Sequence, residues 1–338
     1  MKAASGFASG PKPTCELAEA AVGMALAAAG IDRAGLVLLL LSREFSRHPA
    51  EPVLAAARRA GCLQVAGCTA SGLLTEAGWL VDQPAAAALV IAELPTASPA
   101  TNAPCLSFSG HATLPFDWLD GPSRAGLLEA DAAAWVQARP TASACAELTL
   151  PGLDCQTIVA SGLRLLEQGL RVDACAGYEL RRVAGLPAAE SLRRALPADR
   201  RAALPVHRAA VVHEPGAPAI AILSANADGS LTLAAPLAAG QQIAWAMRQP
   251  LAAEQEMHQL LAAGAEPSPP AFALMFSCIG RGPLFYGNED RDLLAFRQRH
   301  PGVPLLGAYG SGQIAPTGAG NRLFQNSAIT LLYRSPHV

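Results

Sequence analysis

The sequence predicts an α/β fold of two related halves, with mixed β-sheets, flanking helices and a pseudo-symmetric plan. Three observations predict it. The stretch from Phe272 to Pro316 reads as strand, glycine-rich loop, helix, strand and a second glycine-rich loop. The same order recurs from Leu36 to Gly78. Laid over each other, GCTASGLLTEAG and GAYGSGQIAPTG match Gly67 with Gly307, Ser71 with Ser311, Gly72 with Gly312 and Gly78 with Gly318 at one constant offset. A chain of 338 residues is long enough for two domains. The expected organisation is a flexible tail at 1–12, one α/β domain at 13–186 and a second at 187–338.

Taken in order, residues 1–12 are rich in Gly, Ala, Ser and Pro and read as a frayed tail. Leu17, Ala21, Met24 and Ala28 make the apolar stripe of a helix. Leu36 to Leu41 is a short aliphatic run bounded on both sides, the pattern of a strand buried on both faces. It falls well short of the ~20 residues that span a bilayer. Glu51 to Ala60 reads as a helix with Pro52 in its first turn, LQVA as the next strand, and Ala86 to Ile91 as another.

From Thr96 to Leu150 the pattern weakens. A strand in LSFSGHATLPF, then a turn and a helix ending before Pro140, are expected there. Cys145 to Val183 alternates as antiparallel strands do, Pro187 opens a helix to Leu196, and Asp228-Gly229 marks a hairpin. Ala253, Met257, Leu260 and Leu261 form a helical stripe, and Phe272 to Phe276 a buried strand. A helix follows, capped by Asn288 and stopped by Pro301-Gly302; Val303 to Leu306 and Ala328 to Tyr333 are the last strands.

A net charge of −2 without clusters gives no footprint for nucleic acid or an acidic membrane. The N-terminal MKAASGFASGPKPT lacks an apolar signal-peptide core, so no membrane insertion and a cytoplasmic location are expected. The eight cysteines show no CxxC pair and no metal-like histidine spacing. Reduced thiols are expected, with no metal and no cofactor.

Chemistry is expected in the loops. Glycine turns let backbone N–H groups approach a carboxylate or phosphate; the plainer reading is that they only allow tight strand packing. Arg281, between Gly280 and Gly282, has the fork to grip a carboxylate bidentately, against the alternative of an internal ion pair. The candidate ligand-binding set is Gly67, Cys68, Thr69, Ser71, Gly72, Cys278, Arg281, Gly282, Tyr309, Ser311, Gly312 and Gln313. Cys68 or Cys278 as a nucleophile would need a base, for which His48 and His258 are candidates, and an oxyanion pocket.

The strings FSCIGRG, LFYG, GAYGSGQIAP and NRLFQNSAITLLY resemble the C-terminal domain of the FIST sensory proteins, and GCTASGLL resembles the signature loop of their N-terminal domain. The segment from Cys155 to Leu192 resembles the family's central part. Where the family usually has Gly-Glu-Ile, this chain has Gly312-Gln313-Ile314, which removes a negative charge. The resemblance implies a sensory module for a small, amino-acid-like ligand, signalling through a separate protein partner. A cysteine-nucleophile enzyme and a non-binding interaction scaffold are the alternatives.

Overall fold

The computed structural model describes residues 1–94, 102–263 and 268–335. It is a mixed α/β structure and divides into two compact units, Met1–Ala160 with Met257–Val338, and Ser161–Glu256. The expected boundary at 186/187 thus falls inside the second unit. The chain leaves the first unit after Ala160 and returns to it at Met257.

The first unit begins with β1 (Ala3–Ser9), α1 (Cys15–Ala29), β2 (Leu36–Ser42), α2 (Ala50–Ala60), β3 (Val65–Ala70), β4 (Gly72–Thr75), β5 (Gly78–Val81) and β6 (Ala85–Ile91). There follow β7 (Cys105–Ser109), β8 (Arg124–Leu128), β9 (Ala134–Val136), β10 (Arg139–Pro140), β11 (Cys145–Leu148) and β12 (Asp154–Ala160). The second unit holds β13 (Leu163–Ala176), β14 (Glu179–Val183), β15 (Leu186–Pro187), α3 (Ala188–Ala195), β16 (Ala209–Val212), β17 (Ile220–Ala225), β18 (Leu231–Leu233) and β19 (Gln242–Arg248). After α4 (Pro250–Ala263) the chain completes the first unit with β20 (Phe272–Cys278), α5 (Pro283–Tyr286), α6 (Arg291–Arg299), β21 (Leu305–Gly310), β22 (Gly312–Thr317), β23 (Gly320–Phe324) and β24 (Ala328–Arg334).

Two six-stranded sheets dominate the first unit, β1-β6-β2-β3-β9-β10 and β12-β24-β20-β21-β4-β5. They have the same order of pairings: β2 with β3 and β20 with β21 are parallel, and every other ladder in both is antiparallel. A third sheet, β11-β7-β8-β22-β23, completes the unit. β2, β3, β6, β20, β21 and β24 are buried along their whole length, which is why they read as unbroken apolar or glycine-rich runs.

Several sequence expectations change. The expected tail is β1, paired from Ala3 opposite Ile91 to Ser9 opposite Ala85. Its small residues let α1 lie directly on it: a Cβ at Gly6 would meet Ala21 O at 2.1 Å. That close approach turns the alanine-rich face inward, so Ala18, Ala21, Val22, Ala25 and Leu26 are buried and Met24 is 54% exposed. The helix expected before Pro140 is replaced by β8 and β9. Gly126 of β8 sits against β7, where a Cβ would stand 1.9 Å from Ser107 O, so this segment gains from strand pairing what a helix would have lost in contact. Asn288 is not the cap of α6. It is left-handed (φ 72) just after α5, and Asp290 caps the helix, accepting from Leu293 N at 2.9 Å.

In the second unit the strands run β13-β19-β16-β17-β18-β14-β15, and a further β13–β14 pairing closes β13 to β14 into a barrel. Val172, Leu180, Val183, Leu192, Val211 and Trp245 fill it, and the Trp245 indole donates to Ser191 Oγ at 3.1 Å. The Asp228-Gly229 hairpin forms as expected: Gly229 has φ 82, and Asp228 accepts from Ser230 N at 3.0 Å. No helix of the described residues is long and apolar enough to cross a membrane.

Candidate functional site

The two glycine signatures are strands rather than loops. Each is broken at one residue, Ser71 between β3 and β4 and Ser311 between β21 and β22. Glycine explains both the packing and the break. A Cβ at Gly67 would lie 1.8 Å from Leu39 O, and one at Gly307 2.2 Å from Met275 O, so no larger residue fits beside the parallel partner.

β4 crosses to pair with β21, Tyr309 standing opposite Gly72, and Ser71 N donates to Tyr309 O at 3.0 Å. β22 crosses to pair with β8, Gly312 opposite Leu128. These exchanges bring the two turns to one side chain. Glu129, just after β8, accepts from Ser71 Oγ at 2.6 Å through Oε1 and from Ser311 N at 2.6 Å through Oε2. Ser311 Oγ donates to Leu128 O at 3.1 Å. Glu129 is half-buried, and its turn is pinned by Glu129 N to Ser109 O at 3.0 Å and Asp131 N to Gly110 O at 2.9 Å.

Sequence reasoning missed Glu129. It lies in the stretch read as a helix, and its one signal was an acidic residue directly after the apolar run ending at Leu128.

Arg281 forms the fork expected of it, but on an internal partner. Its Nε donates to Asp292 Oδ2 at 2.7 Å, Nη2 to Asp292 Oδ1 at 3.1 Å and Nη1 to Ala160 O at 3.1 Å, and the residue is 1% exposed. The expected grip on a ligand is therefore an internal ion pair, because α6 places Asp292 within the fork. Tyr286 Oη also donates to Asp292 Oδ1, at 3.0 Å, and Tyr309 Oη donates to Asp290 Oδ2. Burial first, and then the Asp292 charge, push Asp290 up to about 6. Burial likewise raises the hydroxyls of Tyr286 and Tyr309.

The other candidates take several roles. Thr69 bonds Ser46 Oγ at 2.8 Å and accepts from Ala133 N at 3.0 Å. Gly282 packs on the Tyr309 ring, where a Cβ would meet Cε1 at 2.7 Å. Gly72 and Gly312 start the strands after the two turns.

Cys68 is 2% exposed; burial, then the Glu129 charge, raises its thiol, which opposes formation of a nucleophilic thiolate. Cys278 is buried, 4.0 Å from Asn326 Oδ1. Among the described residues neither thiol is hydrogen-bonded to a histidine. All eight cysteines are free, Cys68, Cys155 and Cys278 being buried.

Gln313 is wholly buried, its Nε2 3.4 Å from Gly310 O, and its Oε1 has no partner among the described residues. A glutamate here would bury a carboxylate, a cost the neutral amide avoids.

Residues 188–316, from α3 to β22, match the family profile described as FIST C domain. This part of the chain is similar to a FIST C domain. The FIST family is associated with sensing in signal transduction, and the matched span includes Arg281, Tyr309, Ser311 and Gln313. An uncharacterized protein of Mycobacterium tuberculosis is 28% identical over 107 residues, which cover 31% of this chain and 28% of that protein. An uncharacterized protein of Mycobacterium bovis aligns with the same identity and coverage. F-box only protein 22 of Homo sapiens is 43% identical over 65 residues, covering 18% of this chain and 15% of that protein. The aligned part of the chain thus spans little more than a quarter of the mycobacterial relatives and less of the human one.

Proposed function

We propose that the protein is a cytoplasmic sensory module that binds a small, amino-acid-like metabolite at the junction of its two glycine turns and signals the bound state to a separate protein. The observation that carries this reading is the convergence of Ser71 and Ser311 on Glu129. Two turns far apart in sequence are held by one half-buried carboxylate, so a ligand that engages Glu129 pulls on β4 and β22 together and on two sheets at once. The similarity of residues 188–316 to the FIST C domain supports the sensory role. We read residues 13–186 as its N-terminal counterpart, since the GCTASG turn supplies the other half of the junction.

A thermal-shift screen of the purified chain against amino acids, organic acids and small phosphates tests the reading. A ligand at one hundred times its Kd adds ~2.7 kcal/mol to the native state, a rise in Tm of roughly 5 to 10 °C. A selective rise supports the module. A blank screen of protein that melts cooperatively removes the ligand and leaves the scaffold reading.

A further inference from the structure

At the end of β3 opposite Ser71, the surface of the first unit carries a groove of about 400 Å³ lined by Leu54, Leu63, Gln64, Gln137, Ala138 and Arg139. Its walls come from two parts of the chain. Leu54 stands on α2, which ends at Gly61 (φ 63), and the turn there brings Leu63 and Gln64 round to the same groove. The other wall is the two-residue hairpin between β9 and β10, at the edge of the sheet, where Val136 stands opposite Arg139. Gln137 (φ 52) and Ala138 (φ 56) are both left-handed without being glycine, a strained conformation that clusters at ligand clamps. Ala138 N donates to Val65 O at 3.0 Å and holds the hairpin on β3, with Gln137 and Arg139 left exposed on either side.

Three properties of the groove indicate its occupant. It is shallow: Leu54 is 40% and Leu63 69% exposed, and of the lining residues only Ala138 is buried. A pocket for a free small molecule encloses most of its ligand, whereas an open groove suits a segment of chain laid along it. Its neutral polar groups are two amides. The side chains of Gln64 and Gln137 make no hydrogen bond among the described residues, and each offers a donor and an acceptor, as a peptide backbone does. Its charge is positive. Arg139 lines it, and Arg58 lies one turn from Leu54 on the same helix face. Neither arginine has an ion-pair or hydrogen-bond partner among the described residues. No carboxylate lines the groove, and the one acidic residue of α2, Glu51, is in its first turn, about 10 Å from Arg58 along the axis.

We propose that this groove docks a short acidic segment of another protein, with a large apolar side chain seated on Leu54 and Leu63 beside an aspartate or glutamate that pairs with Arg139 and Arg58. Covering the two exposed leucines supplies the burial, and the free guanidinium groups supply a directional grip on the carboxylate. The groove is separate from the junction of the glycine turns, so this inference goes beyond the reading above and stands or falls without it.

The test is selection of random heptapeptides displayed on phage against the immobilised full chain, with the enriched peptides synthesised and measured by fluorescence polarisation. They are expected to place a large apolar residue next to Asp or Glu. Changing their acids to amides, or the apolar residue to alanine, should weaken binding roughly fivefold or more. Raising the salt to about 0.5 M should weaken the acidic peptides and spare the amide forms. Leu63→Ser and Arg139→Gln, both at the surface, should each weaken the acidic peptides roughly fivefold or more, with Tm unchanged. Enriched peptides without acidic residues, binding unchanged in either variant, or an empty selection overturns the proposal. If sedimentation shows that the chain pairs with itself and Leu63→Ser dissolves the pair, the occupant is a second copy and the peptide assignment falls. Decanoate binding that Leu63→Ser abolishes, where no peptide binds, gives the groove to a free amphipathic acid, with the same consequence.

Discussion

The sheets β1-β6-β2-β3-β9-β10 and β12-β24-β20-β21-β4-β5 share strand order and ladder sense, yet they finish their parallel pairs with opposite chemistry. In the first sheet, Thr69 lies two residues before the Ser71 break and bonds the crossover through Ser46 Oγ. In the second, Tyr309 lies two residues before the Ser311 break and bonds its crossover through Asp290. The first crossover keeps its charges outside: Arg43 pairs with Asp82 at 2.8 Å, with side chains 58% and 73% exposed. The second buries Arg281 and Asp292, each 1% exposed at the side chain. The same strand order therefore ends in a neutral hydroxyl pair in one sheet and a buried ionic cluster in the other. The lesson is that the ends of the sheets, rather than their strands, set the character of each.

Replacing the arginine of each crossover should break this comparison most visibly. Arg281→Ala leaves Asp292 buried without its partner and is expected to cost about 3–5 kcal/mol, a fall in Tm on the order of 10 °C. Arg43→Ala, at the surface, should cost less than about 0.5 kcal/mol. Urea unfolding of both variants measures the difference, and equal losses would show that the ionic cluster is not what distinguishes the second sheet.

The shared feature comes next. Gly67→Ala and Gly307→Ala each drive a Cβ into a neighbouring strand's carbonyl oxygen, at 1.8 and 2.2 Å. Overpacking of this kind costs about 1–3 kcal/mol, and the two losses should be alike. A tolerated alanine at one site alone, seen in the same unfolding curves, would mean the two strand pairs are packed differently.

A smaller effect follows pH. Asp290 is raised above its ordinary value, so the native state holds its proton more tightly than the unfolded chain does. Its contribution to stability is full below about pH 4, the ordinary range, and is lost as pH rises through about 6. Asp290→Asn keeps a capping oxygen but removes this loss. Relative to wild type the variant should gain stability between pH 4 and 7, and a constant difference across that range would refute the assignment. Ser46→Ala, which removes the bond to Thr69 while leaving Ala133 N its acceptor, should cost about 1 kcal/mol in the same urea curves.

Much of the fold was legible because its signals are local. β2, β20 and α2 declare themselves by buried runs and helical spacing, and the Asp228-Gly229 hairpin by a turn that only a left-handed residue completes. What stayed hidden depends on partners distant in sequence. β1 is a strand because β6 accepts it, β8 because β7 and β22 flank it, and the units are drawn by a chain that leaves at Ala160 and returns at Met257. For the site, Ser71 and Ser311 were visible as a repeated Ser-Gly pair. Their meeting at Glu129 was not, since crossing strands bring that residue to them and no local pattern marks it. Arg281 was rightly noticed as a fork, and only the fold shows that Asp292 fills it.

The most direct test of the central claim, that both turns serve one ligand site, is hydrogen exchange of the full chain with and without the strongest stabiliser from the screen. The account predicts that amides around Ser71 and around Ser311 slow together on binding. Protection confined to one turn, or found only away from both, would contradict it.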